Sequence, residues 1–119
     1  SHCVFVEDFI PCIKSIEKNL QNCRFENGTI VKGRLPEALR MLGKRFGIFS
    51  HVFLDPPYDK DLIAPNLQGL VDNKLIDAES LVIIEHSPRE KPEHPLYRTV
   101  DQRKYGQTFV SFLQSIPSA

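Results

Sequence analysis

Apolar positions along the chain follow two alternating rhythms, short continuous runs and stripes at three- and four-residue steps, which is the pattern of an α/β protein. Runs bounded by turn formers predict strands at Cys3 to Glu7, Thr29 to Val31, Val52 to Leu54 and Leu81 to Glu85. Between the first two, Phe9, Ile13, Ile16, Leu20 and Cys23 form one helical stripe, with Asp8 placed to cap it and Pro11 acceptable in its first turn. Asn27-Gly28 turns the chain into the next strand. A second helix is predicted to open at Pro36, to turn Leu35, Ala38, Leu39, Leu42 and Phe46 to one face, and to stop at Gly47. A third, with Pro65 near its start, carries Leu67, Leu70 and Val71 on one side and ends at Asn73. From His86 to Pro95 the chain is polar and proline-rich, an exposed loop on the side of the sheet where substrates bind. Leu96 to Val100 and Thr108 to Leu113 then alternate as a pair of strands, with Tyr105-Gly106 turning between them.

One of these runs ends unusually. Val52 to Leu54 reads as a parallel strand buried on both faces, and it stops at Asp55-Pro56-Pro57-Tyr58. In open α/β sheets ligands bind just beyond the carboxyl ends of such strands, so the tetrapeptide lies where chemistry is done. It suits the modification of an exocyclic amine on a nucleobase. Such an amine is a poor nucleophile, because its lone pair is delocalised into the ring. The Asp55 carboxylate and a backbone carbonyl of the proline turn can accept the two amine hydrogens and aim the lone pair at an electrophile. Pro56 and Pro57 fix φ and remove donors, holding that carbonyl outward. Tyr58 offers a flat face for an extruded base, worth about 1–3 kcal/mol in single-strand binders.

The tetrapeptide resembles the catalytic motif of S-adenosylmethionine-dependent amino-methyltransferases. Together with Cys3-Val4-Phe5-Val6-Glu7, the helix ending near Asn19-Leu20, Leu81-Val82-Ile83-Ile84-Glu85 and Lys104-Tyr105-Gly106-Gln107-Thr108, it resembles the RsmD family through nearly the whole chain. That resemblance implies a Rossmann-like class I methyltransferase fold, a mostly parallel sheet with an antiparallel C-terminal hairpin. It implies methyl transfer from S-adenosylmethionine to the exocyclic N2 amine of a guanine in 16S rRNA, with ribosomal RNA or the small ribosomal subunit as partner and no metal. Asp55, Pro56, Pro57 and Tyr58 then carry catalysis, Glu7, an acid at a strand end, meets the cofactor ribose, and Asp55 is counted with Glu7 among the cofactor-binding residues. Glu85 is matched in the family, and a strand-end acid facing water is an equal reading of it. The family often carries an acid after the strand that here leads into Lys32-Gly33-Arg34, so that contact to the adenine amine has no counterpart.

The six glycines form no Gly-x-Gly turn of the kind that passes under the methionine part of the cofactor. The chain therefore reads as a single, partial methyltransferase domain over residues 1–119, starting at the family's second strand. Lacking the central first strand, it is expected to hold two half sheets with unpaired inner edges.

Composition sharpens the picture less. With 41% apolar and 25% charged residues and no apolar run of membrane-spanning length or secretory signal, the chain reads as a soluble globular protein in the cytoplasm. Cys3, Cys12 and Cys23 are odd in number and lack a Cys-x-x-Cys, so they read as buried thiols and not as a zinc site or disulfide frame. The four histidines are scattered, His51 among them a structural residue. Zero net charge excludes a protein that grips nucleic acid by electrostatics alone. Two local groups, Lys32, Arg34, Arg40, Lys44 and Arg45, and Arg89, Lys91, Arg98, Arg103 and Lys104, read equally as RNA patches or as solvated surface. Two alternatives stay open: a DNA adenine or cytosine amino-methyltransferase, since the tetrapeptide is shared, and a catalytically inactive α/β module that binds RNA or protein. A protein glutamine methyltransferase is a weaker rival, because that class usually has Asn where Asp55 stands.

Overall fold

Strand and helix alternate through most of the chain. The computed structural model describes residues 2–24, 26–56 and 61–117. Its elements are β1 (Cys3–Glu7), α1 (Ile10–Asn22), β2 (Gly28–Lys32), α2 (Leu39–Arg45), β3 (His51–Leu54), α3 (Ile63–Asp72), β4 (Leu81–His86), β5 (Tyr97–Tyr105) and β6 (Thr108–Ser115). The strands sort into a sheet of order β1-β2 and a second of order β3-β4-β6-β5. The chain divides correspondingly into two compact units, residues 1–38 and 39–119.

In the first unit β1 and β2 run parallel from Cys3 opposite Gly28 to Glu7 opposite Lys32, with α1 as the crossover. Ile13 is buried and Ile16 and Leu20 are half-buried, so the predicted stripe is real but shorter than expected. Phe9 and Cys23, assigned to that stripe, are exposed. Asp8 does not cap α1. Phe9, in extended backbone, holds the N-cap position without a side-chain cap, and the Asp8 carboxylate accepts instead from Arg34 Nε at 3.1 Å. All three cysteines are free and exposed, which corrects the expectation of buried thiols. Cys12 and Cys23 fall off the α1 stripe, and Cys3 heads β1.

In the second unit β3 runs parallel to β4, while β6 is antiparallel to both β4 and β5. This is the parallel core with an antiparallel hairpin that the resemblance implied. β4 has the double-sided burial of a central strand: Val82 and Ile84 have no exposed surface and Ile83 is 8% exposed. β3 does not. Leu54 is buried but Phe53 is 72% exposed, because β3 pairs only with β4 in its sheet and one of its faces is uncovered among the described residues. Leu67 and Leu70 of α3 are buried, and Tyr97 of β5 donates to the Leu67 carbonyl at 2.7 Å, tying helix to sheet. Burial, then the Asp72 carboxylate, pushes the Tyr97 phenol far above its ordinary value.

α2 begins at Leu39, not at Pro36, because residues 35–38 form a turn. It lies close to α3: a Cβ on Gly43 would sit 2.5 Å from the Asn73 carbonyl oxygen. The amino ends of β3 and β4 are laced together by Leu81 N–H donating to Ser50 O at 2.9 Å and Ser80 Oγ–H to Phe49 O at 2.6 Å. At the other end of the unit the hairpin is longer than its alternation suggested. β5 runs to Tyr105, past a bulge at Val100, and turns through Gly106 at φ +61°, the left-handed backbone that primed hairpin turns demand. Among the described residues no helix is long and apolar enough to cross a membrane.

Candidate active site

Two neighbouring strand ends carry acids. Parallel pairing sets Leu54 of β3 opposite Ile84 of β4, so Asp55 follows level with Glu85 one strand away, a spacing of about 4.8 Å between backbones. β3 stops at Leu54, and Asp55 and Pro56 begin the turn, the first exposed and the second half-buried. The carboxylate is therefore an accessible acceptor at the carboxyl end of a strand whose last residue is anchored in the core. Glu85 is half-buried and opposite Val110 of β6. Pro57 and Tyr58 lie outside the described residues.

The other predicted acid belongs to the first unit. Glu7 ends β1, half-buried, and its Oε2 accepts from the Asp8 backbone N–H at 3.0 Å. The Gly33 N–H donates to the Glu7 carbonyl at 3.0 Å, folding the residues after β2 back over this strand end. Gly33 suits that approach, since a Cβ there would meet Ala38 Cβ at 3.1 Å. In place of an acid after β2, Arg34 is spent on the exposed ion pair with Asp8. The Cys12 thiol lies near enough to the Glu7 carboxylate to feel its charge, a neighbour that the chain pattern did not reveal. Loss of hydration first, then the Glu7 carboxylate, and then Asp8 raise the Cys12 thiol above its ordinary value. Cys12 follows Glu7 by five positions, enough to pass from strand end to the first turn of α1, and that spacing is the only signal the sequence held.

A carboxylate offers about four acceptor positions. The Asp8 N–H occupies one position on Glu7, so capacity remains for the paired hydroxyls of a ribose. Asp55 has no side-chain partner among the described residues that would keep it from a ligand amine.

Comparison with known proteins adds a family. The family described as Conserved hypothetical protein 95 matches residues 1–114. Among curated proteins, the chain is 25% identical over 113 residues to "Putative rRNA methyltransferase YlbH" of Bacillus subtilis (strain 168), covering 92% of this chain and 61% of that protein. Among solved structures it resembles a conserved hypothetical protein of Streptococcus pyogenes, with TM-score 0.85 and 25% identity over 98% of this chain and 72% of that one. The SAH-bound Podospora anserina methyltransferase PaMTH1 is similar in fold, with TM-score 0.71 at 12% identity over 98% of this chain and 62% of that one. The chain thus spans about three fifths of the length of its curated relative.

Proposed function

The chain belongs to the Conserved hypothetical protein 95 family, the one to which its strand ends and tetrapeptide pointed, and from that membership we propose that it acts in methyl transfer to ribosomal RNA. The acceptor is the exocyclic N2 amine of a guanine in the small-subunit 16S RNA, and the donor is S-adenosylmethionine. The observation that carries this reading is the placement of Asp55: exposed, at the carboxyl end of a parallel strand, and followed by a proline that removes a competing donor. A relative named for rRNA methyl transfer and a fold-mate holding SAH, the demethylated form of the donor, support it.

S-adenosylmethionine, when bound, supplies the methyl group on a sulfonium centre. Glu7 holds the ribose through its remaining acceptor capacity. Asp55 accepts a hydrogen of the guanine amine, localises the nitrogen lone pair and takes up the proton as nitrogen becomes bonded to carbon. The Pro56–Pro57 segment contributes the second acceptor from its backbone, and Tyr58 stacks the extruded base. Asp55→Ala in the intact natural protein is expected to lower transfer from labelled donor to unmodified small subunits by at least about a hundredfold, in line with loss of an acid–base group. Donor affinity by calorimetry stays within about twofold, since the ribose contact is made by Glu7. Turnover equal to the parent's would sink the assignment, and transfer to duplex DNA in place of the subunit would move it to the DNA amino-methyltransferases.

A further inference from the structure

At the carboxyl end of β4, on the side of β5 and β6, the second unit holds a cleft of about 470 Å³, bordered by the loop that follows β4. Pro88, Pro92 and Phe109 give it flat apolar walls, Thr99 and Gln102 a polar side, and Lys91 and Glu93 a charged rim. Neither Asp55 nor Pro56 lines it. Its volume lies within the roughly 300–1,000 Å³ typical of small-ligand pockets.

The floor is rigidly built. His86 is 2% exposed and spends both ring nitrogens: Nδ1 lies 2.9 Å from Ser87 O and Nε2 lies 2.7 Å from Ser111 Oγ. Gln102 Nε2 donates to the same Ser111 oxygen at 2.9 Å. The chain of donors closes if Gln102 donates to Ser111, Ser111 to His86 Nε2, and His86 Nδ1–H to the Ser87 carbonyl, which ties β5, β6 and β4 together under the cleft. Above them the His86 and Phe109 rings stack at 5.8 Å and 16°, and the Lys104 ammonium lies 5.8 Å from the Phe109 centroid. A cation at the rim and another beside a held aromatic ring are the equipment of single-strand nucleic-acid sites. The segment from His86 to Gly106 carries five basic and three acidic residues in a chain of zero net charge, and Lys91 of that segment lines the cleft.

We propose that the cleft holds a nucleotide of the RNA substrate other than the one methylated: its base between the prolines and Phe109, its N–H edge on Glu93 and Gln102, and its phosphate on Lys91 and Lys104. This rests on the reading of the protein as an RNA methyltransferase. Filter-binding titrations of the intact protein with unmodified small subunits and with naked 16S RNA test it, beside donor calorimetry and methyl transfer. The double variant Lys91→Gln with Phe109→Leu is expected to bind both RNA forms about tenfold more weakly, with a salt slope smaller by about 1. Its donor affinity holds and its KM for RNA rises more than its kcat falls. Wild-type affinity in a double variant that still binds donor overturns the proposal, as does a loss confined to assembled subunits, which assigns the cleft to a ribosomal protein. Should Phe109→Leu fail to fold, Lys91→Gln alone must weaken binding about threefold and lower the salt slope. A parent that binds RNA at this cleft but transfers no methyl group refutes the methyltransferase reading and leaves the nucleotide pocket standing.

Discussion

The two units place acids at strand ends in the same way but are packed very differently. In residues 39–119 the core includes Leu54, Leu67, Leu70, Leu75, Val82, Ile84 and Leu113, all at most 6% exposed, whereas in residues 1–38 only Ile13 and Val31 are buried apolar side chains among the described residues. Apolar burial is what offsets conformational entropy, so the second unit carries most of the stability and the first holds its strand-end acid, Glu7, on a thin base.

Truncation of a core side chain in each unit offers the largest expected effect and the clearest way to break this contrast. Leu67→Ala, at a site with no exposed surface, is expected to cost about 3–5 kcal/mol, and Ile13→Ala, at 8% exposure, about 2 kcal/mol or less because its thin surroundings can collapse. Urea denaturation of the intact protein measures both, provided that the slope with denaturant is unchanged. Equal losses would show the two units to be packed alike.

How far the chain pattern foretold this depended on whether the deciding partner was near in sequence. β4 was legible because five consecutive apolar or half-buried positions leave no polar face, and the order of strands and helices followed from the two hydrophobic rhythms. β3 departs from the pattern: its run Val52-Phe53-Leu54 looks buried on both sides, yet Phe53 is open because none of the described residues of its own unit covers that face. β5 was shortened in the reading since Asp101 to Lys104 are polar on both faces, as an edge strand outside the helices permits. Glu7 and Asp55 are each readable as an acid ending an apolar run. The tie of Cys12 to Glu7 and the chain from Gln102 through Ser111 to His86 are not, since only the fold brings those side chains together.

A smaller effect sharpens the contrast from the side of the well-packed unit. The Tyr97 phenol is raised in the folded protein, so the native state keeps its proton where the unfolded chain, at the ordinary phenol value of about 10, begins to lose it. The stabilisation is complete below that value and is lost as pH rises through it towards the folded value. Tyr97→Phe removes the hydrogen bond to Leu67 O and is expected to cost about 1 kcal/mol near neutral pH. Thermal unfolding at pH 8 and at pH 10.5 checks the sign: the deficit of the variant shrinks at the higher pH. A deficit that is the same at both would mean that the phenol titrates normally.

The smallest effect reports on the thin unit and on the acid it carries. Cys3, Cys12 and Cys23 are all exposed, so unequal alkylation reflects thiolate fraction more than access. The thiol of Cys12 is held above its ordinary value, in part by Glu7, and at pH 8 its reaction with iodoacetamide is therefore expected to quicken when the Glu7 charge is removed. Glu7→Gln removes that charge while keeping an acceptor. Peptide mass spectrometry of timed aliquots resolves the three sites. A Cys12 rate unchanged by Glu7→Gln would detach the thiol from the acid. The same labelling in the presence of S-adenosylmethionine should then slow Cys12 and leave Cys23 untouched, because a ribose on Glu7 would crowd the thiol near its carboxylate.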